Sequence, residues 1–320
     1  MKTVWIAVIA LTAAGSAFAQ GVYPNRPVTM VVGFAPGGGT DTVARIIAKN
    51  LSENLGQQVL VENKAGAGGN IAADFVAHAA PDGYTILLGS VGSLAVAPHV
   101  IVGLPYDPLR DFAPITMAVV FANVLVVQPS LPVQSLAEYV KLAKDQPGSV
   151  NFGSAGILSA GHLAGELLKI RADIDMIHVP YKGGGPAMQG ILGGQIMSIF
   201  ATPVSVAAHM KAGKLRALAT TGPKRAALLP DVPTVAESGY PGFEAMNWYA
   251  YVAPAKTPKE IIERLNRELV KALNNAEAAA LLHQQGLEPS PGSPAELKRY
   301  MEREYDTWGK VVKRAGIKAQ

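Results

Sequence analysis

One repeated order constrains this chain more than any other feature: a short apolar run, a cluster of glycines, then a segment with helical spacing. In "VTMVVGFAPGGGTDTVARII" (Val28–Ile47) the apolar run reaches Phe34, Pro36-Gly37-Gly38-Gly39 follows, and Thr40-Asp41 opens a helix that extends to Leu55. "QQVLVENK" then reads as a strand ending near Asn63, Ile71–Ala79 as a helix, and "PDGYTILLGS" as a third strand. Alternation of this kind predicts parallel strands joined by right-handed crossovers. The order restarts at "NVLVVQPS" (Asn123–Ser130). Helices Ser135–Asp145, Gly161–Ile170, Gly185–Leu192 and Pro203–Ala212 then alternate with strands "VNFGS", "MIHVPY", "IMSIF" and "RALATT". The fold class expected is therefore α/β with two units, each a mostly parallel sheet flanked by helices.

"NWYAYVAPAKTP" (Asn247–Pro258) reads as a strand leaving the second unit, after which the pattern is helical: Lys259–Asn275, Ala276–Gln285 and Pro294–Ala315. This tail is expected to return to the first unit. The expected division is residues 20–123 for lobe 1, 124–248 for lobe 2, and 249–320 for the return and the C-terminal helices. Two crossings, near Asn123 and Asn247, make a hinge, and a cleft between two α/β lobes is a place to grip a ligand.

Residues 1–19 carry Lys2, an apolar stretch Val4–Ala14 and the small-residue ending Ala17-Phe18-Ala19. That is the layout of a secretory signal cut after Ala19, and the stretch is shorter than the ~20 residues a membrane span needs. No cysteine occurs anywhere, which excludes a lipidated cysteine, disulfides, thiolate metal sites and a cysteine nucleophile. The formal net charge is +4, with Lys and Arg scattered, so no nucleic-acid footprint is present and the weak field suits a small anion.

The first glycine loop resembles two phosphate motifs and matches neither. Gly33, Gly38 and Thr40 fit the spacing of a P-loop, but Gly39 replaces the lysine that would meet the β- and γ-phosphates. Gly37 and Gly39 start a dinucleotide fingerprint, but Thr42 stands where its third glycine belongs; Glu62 alone imitates the ribose-binding acid. A carboxylate fits better: glycines let backbone N–H groups approach it, and a helix start contributes about half a positive charge. Thr40 either caps that helix or bonds the ligand, whereas Asp41 would repel an anion and is expected to serve the helix start.

The second unit repeats the design. "NFGSAGILSAGHL" (Asn151–Leu163) offers Ser154, Gly156, Ser159 and His162, and "VPYKGGGPAMQ" offers Tyr181, Lys182 and Gly183 at a strand end. Ser90, in "GSVGS", is a further candidate from the first lobe. Catalytic constellations are missing: neither G-x-S-x-G nor H-E-x-x-H occurs, and the six histidines lack metal-ligand spacing. A binding protein without cofactor or metal is the expectation. An exported enzyme using Ser154 or His162 on a carboxylate stays open, as does a sensory receptor for the same ligands.

Taken in order, "FAPGGGTD", "ENKAGAGGN", "PDGYTILLGS", "NFGSAG", "VPYKGGGPAMQGILGGQI", "KAGKLRALATT" and "VPTVAESGYPGFEAMNWYAYVAPAKTP" resemble the Bug receptors of tripartite tricarboxylate transporters. The resemblance runs from about Tyr23 to Gly316. It implies a periplasmic, two-lobed flytrap protein, acting as a monomer, that hands a di- or tricarboxylate or an aromatic acid to a membrane permease. It also implies that Phe34–Thr40, with Pro36, Gly37, Gly38 and Gly39, holds the carboxylate from one lobe and Ser154–His162 from the other. Tyr181–Gly184 and Phe200–Thr202 would complete the cleft. Many relatives have Phe-Asp where this chain has Phe200-Ala201-Thr202. The missing aspartate, which could meet an amino group, argues against an amino-acid ligand and for a plain or aromatic acid.

Overall fold

The computed structural model describes residues 23–315. The expected signal segment, with its cut after Ala19, lies outside the described residues.

Two sheets organise the chain. The first takes β1 (Val28–Val32), β2 (Val59–Asn63), β3 (Thr85–Ser90), β4 (Phe112–Ala122), β10 (Met246–Pro254) and β11 (Glu288–Pro289), in the order β11-β4-β10-β3-β1-β2. The second takes β5 (Val124–Val127), β6 (Asn151–Ser154), β7 (Ile177–Pro180), β8 (Ser198–Ala201) and β9 (Arg216–Thr220), in the order β7-β6-β8-β5-β9. The helices are α1 (Gly39–Leu55), α2 (Asn70–Ala77), α3 (Ala97–Val100), α4 (Leu136–Asp145), α5 (Ala160–Ala172), α6 (Gly184–Leu192), α7 (Pro203–Lys211), α8 (Lys259–Leu273), α9 (Ala276–Gln284) and α10 (Pro294–Ala315).

Successive residues of a strand face opposite ways, so each central strand feeds two cores. In β1, Val28, Met30 and Val32 pack with α1 and α8, while Val31 packs with α2. Likewise Tyr249, Tyr251 and Ala253 of β10 join the first core, and Trp248, Ala250 and Val252 join the second with Leu297, Met301 and Trp308 of α10. Helix α8 places Ile262, Leu265, Leu269, Ala272 and Leu273 on one buried stripe, the helical spacing read from sequence. Each large apolar side chain buried this way contributes about 1.5–3 kcal/mol, the scale on which the two faces hold together. Helix α1 stops at Gly56, whose φ of 68° is the left-handed turn that glycine adopts without strain.

In each sheet most strands run one way, as expected, and a minority run against them. β1 pairs in parallel with β2 and β3, but β10 runs antiparallel to β3 and β4, and β11 antiparallel to β4. In the second sheet β6 is parallel to β7 and β8, whereas β5 is antiparallel to β8 and β9. The physical reason is the pair of crossings: β4 runs through Asn123 directly into β5, and β10 comes back, so β5 and β10 enter their sheets against the βαβ direction. β4 is also the long strand that periodicity does not reveal. It carries Pro114 at an irregular register step beside Val252, where a missing N–H is tolerated. The return strand begins at Met246, paired with Ala122, one residue before the Asn247 at which it was expected.

Thr221 ties the crossings together. Its hydroxyl accepts from the Asn123 N–H at 2.9 Å and donates to the Ala245 carbonyl at 2.8 Å. Its backbone N–H donates to Asn123 O at 2.9 Å and its carbonyl accepts from the Ala245 N–H at 2.8 Å. Glycines let the lobes touch elsewhere. A methyl group on Gly68 would overlap the Ile157 carbonyl oxygen, and one on Gly92 would overlap that of Leu158. Leu158 itself, at a φ of 64°, is fully buried among lobe 1 side chains.

Candidate functional site

A cavity of about 350 Å³ lies between the lobes. Four helices begin at its wall: α1 with Gly39 and Thr40, α5 with Ser159, Ala160 and Gly161, α6 with Gly184 and Gly185, and α7 with Thr202, Val204 and Ser205. First-turn N–H groups have no partner within their own helix. No side chain caps α1, α6 or α7, because Gly38, Gly183 and Thr202 occupy the N-cap positions without making that bond. Of these four, α5 alone is capped, by the Ser159 hydroxyl accepting from the His162 N–H at 3.5 Å. Among the described residues, no Asp, Glu, Lys, Arg or His lines the cavity. Its electrostatics therefore come from helix ends and neutral dipoles, which attract an anion without pairing it to a cation.

The loop that brings α1 to this wall is held from behind. Asp41 Oδ2 accepts from the Gly37 N–H at 3.0 Å and from Arg45 Nε at 2.9 Å, and Asp41 Oδ1 accepts from Asn63 Nδ2 at 3.0 Å. Burial opposes the charged carboxylate, yet the bonds from Arg45, Gly37 and Asn63 outweigh it and hold Asp41 below the usual carboxylate range. Its charge is spent within the loop.

Of the residues expected from sequence, Phe34, Gly37, Gly38, Gly39, Thr40, Ser90, Ser159, Ala201 and Thr202 line the cavity. Gly156, Tyr181 and Lys182 line a separate, smaller one of about 180 Å³. Pro36 and Gly183 stand where the two glycine loops meet. A methyl on Gly183 would lie 3.3 Å from Ala35 Cβ, and one on Gly185 would lie 3.9 Å from the Pro36 carbonyl.

Ser154 and His162 lie behind the wall. Ser154 is fully buried, its hydroxyl donating to Gly156 O at 2.9 Å and lying 2.7 Å from His178 Nε2. His162 Nδ1 accepts from the Leu158 N–H at 3.1 Å, and its ring stacks on His178 with centroids 4.1 Å apart. Desolvation, with Lys169 nearby, lowers His162 to about 4. Desolvation, with His162 and Lys169 nearby, lowers His178 to about 3. Both rings are thus neutral at pH 7 and brace the 154–159 loop as a struct of stacked, hydrogen-bonded imidazoles. Sequence spacing could not pair His162 with His178, because one sits on a helix and the other on a strand.

Residues missed from sequence include Asn123, Asn247 and Tyr249 at the crossings, Met188, Gln189, Ile199, Val204 and Ser205 on the lobe 2 side, and Thr42 and Gln285. The crossings were legible as a hinge, which was the available signal for the two asparagines. Burial pushes the Tyr249 hydroxyl up to about 12, opposed by side-chain hydrogen bonds with Thr40 and Asn247.

Two α/β lobes meeting over a cavity ringed by helix starts define a two-lobed solute-binding protein. Residues 43–317 match the family described as tripartite tricarboxylate transporter family receptor, and the chain belongs to that family. Protein BugT of Bordetella pertussis is 39% identical over 297 residues, covering 92% of this chain and 91% of BugT. The R. palustris protein Rpa4515, solved with adipate, is similar at TM-score 0.89 and 38% identity, over 92% of this chain and 99% of that one. MatC of Rhodopseudomonas palustris, solved with bound malate, is similar at TM-score 0.87 and 34% identity, over 91% of this chain and 100% of that one. The family consists of periplasmic binding receptors, and no helix among the described residues is long and apolar enough to cross a membrane.

Proposed function

We propose that this protein captures a small organic carboxylate in the interlobe cavity and delivers it to the membrane permease of a tripartite tricarboxylate-type transporter, after export with a signal cut following Ala19. The observation that carries the reading is the convergence of four helix N-termini on a cavity whose lining holds no charged side chain. Backbone donors of Gly39, Thr40, Gly161, Gly184 and Val204 suit carboxylate oxygens, and the absence of a cation suits an anion that must be released again. The adipate and malate of the two solved relatives are of this chemical class. Ligand bridging both lobes favours the closed arrangement because that arrangement makes more contacts with it. The division into residues 20–123, 124–248 and 249–320, adjusted to a return at Met246, supplies the two jaws. A binder is further supported by Ser154, which is buried beneath the wall and engaged by Gly156 and His178 rather than facing the cavity.

Thermal unfolding of the refolded mature chain against aliphatic di- and tricarboxylates, acidic amino acids and aromatic acids tests this. A ligand at a hundred times its dissociation constant adds about 2.7 kcal/mol, a clear shift of the melt. The acid that shifts it should be recovered intact. Absence of any shift, or consumption of the acid, would sink the proposal.

A further inference from the structure

One side chain of lobe 2 is seated in the core of lobe 1. Leu158 lies in the loop between β6 and α5, yet it is fully buried in the core built by β1, β3, β10, α2 and α10. Two glycines make room for the chain around it. A methyl on Gly68 would overlap the Ile157 carbonyl oxygen and lie 3.7 Å from Leu158 Cβ, and one on Gly92 would overlap the Leu158 carbonyl oxygen. Neither Ile157 nor Leu158 lines the main cavity, whereas Ser159, the next residue, does.

Leu158 enters this socket with a φ of 64°, a left-handed backbone that a bulky side chain adopts only where its surroundings impose it. His162 imposes it. Its Nδ1 accepts from the Leu158 N–H at 3.1 Å, while the His162 N–H donates to the Ser159 hydroxyl at 3.5 Å. The pair resembles a capping box, except that the side chain of the third helical residue bonds the N–H before the cap instead of the cap's own. His178 stacks on the ring with centroids 4.1 Å apart, which fixes its plane. Desolvation keeps the ring neutral at pH 7, and with Nδ1 accepting, its proton sits on Nε2, 3.9 Å from Glu166 Oε1.

One short stretch therefore does two things. Ser159 presents the start of α5 to the cavity, and Leu158 ties that start to lobe 1. When the lobes part, the Leu158 side chain and N–H meet water, so their burial and bonding count toward the closed arrangement alone. We infer that Leu158 is the catch that holds the lobes together around the ligand, and that His162 is its positioning residue, acting on ligand capture through Leu158. This rests on the reading of the interlobe cavity as the binding site.

Spin labels on Glu53→Cys and Lys141→Cys, exposed positions on α1 and α4 in a chain with no cysteine of its own, read the distance between the lobes. In refolded protein without acid, the parent should show a short-distance, closed population. Leu158→Ala should lower the closed-to-open ratio about tenfold or more. His162→Leu, which removes the acceptor, should lower it about 5- to 150-fold, the effect of a buried N–H left without a partner. His162→Asn sets Oδ1 where Nδ1 stood and should stand closer to the parent than to His162→Leu. Space filling does not predict that order, because asparagine fills the place of the ring no better than leucine. Titration with adipate and with malate, the acids of the two solved relatives, should rank the variants in the same order, with the loss appearing as faster dissociation. If His162→Leu does not fold, Leu158→Ala still reads the catch and His162→Asn the acceptor. A ratio within twofold of the parent in Leu158→Ala, an asparagine variant as open as the leucine or alanine one, or a parent without a closed population overturns the inference. If neither acid binds while the distances behave as expected, the catch stands and those two acids are excluded as ligands.

Discussion

Gly92→Ala should separate folding from ligand capture. Gly92 lies just after β3, its φ is outside the left-handed region, and the turn it enters is helical, so the backbone accepts alanine. Within lobe 1 that exchange is neutral or gains about 0.5–1 kcal/mol from the lost flexibility of glycine. Across the interface it is costly, because the methyl overlaps the Leu158 carbonyl oxygen and lies 3.1 Å from its carbon. Both partners there are backbone or the new Cβ, with no flexible end to give way, so overpacking of about 1–3 kcal/mol falls on the closed arrangement alone. That corresponds to binding weakened about 5- to 150-fold. Calorimetric titration with the acid that shifts the melt reads the affinity, and unfolding without ligand reads the stability. An affinity within twofold of the parent, or a ligand-free melt lowered as much as the binding energy, would refute the reasoning.

Thr221→Val keeps the side chain's shape but strips the Asn123 N–H and the Ala245 carbonyl of their partner at the crossings, so denaturant unfolding should show a loss of about 1–3 kcal/mol for each group left unpaired. Stability should be flat above pH 6.5 and fall below it, because an unfolded histidine takes up its proton near 6.5 while folded His162 and His178 resist to about 4 and about 3. The fall is about 1.4 kcal/mol per pH unit for each histidine until the folded pair itself titrates, and His178→Phe, which retains a ring for the stack and leaves His162 in place, should about halve it in unfolding series from pH 7.5 to 4.5. Gly38→Leu should abolish carboxylate binding while the protein still melts cooperatively, since a methyl there meets only Ala35 O at 3.7 Å and Gly184 N at 3.8 Å, and the longer side chain extends toward the space where the loops meet.

Local chemistry along the chain sufficed for most of the elements and pointed to the first glycine loop. Helical spacing placed α4, α8 and α10, and the Gly37–Gly39 cluster marked a strand end made for backbone contact. These are legible because helix stripes, caps and glycine turns depend on neighbours a few residues away. Strand direction is not. The two-residue period of β5 or β10 suits a parallel or an antiparallel partner equally, so the mixed sheets were decided by where the crossings carry the chain. The same holds within the site. Ser154, Ser159 and His162 lie within one short stretch, yet of the three only Ser159 reaches the cavity, because His178, 24 residues beyond Ser154, packs against the other two from a neighbouring strand. Asn123 and Asn247 stand far apart in the chain, and only the β4–β10 register sets them on one face beside Ser90 at the cavity wall. The chain's own order thus determined the lobes and the backbone donors. Burial and pairing between distant segments, which no local pattern encodes, decided which side chains face the ligand and which hold the wall in place.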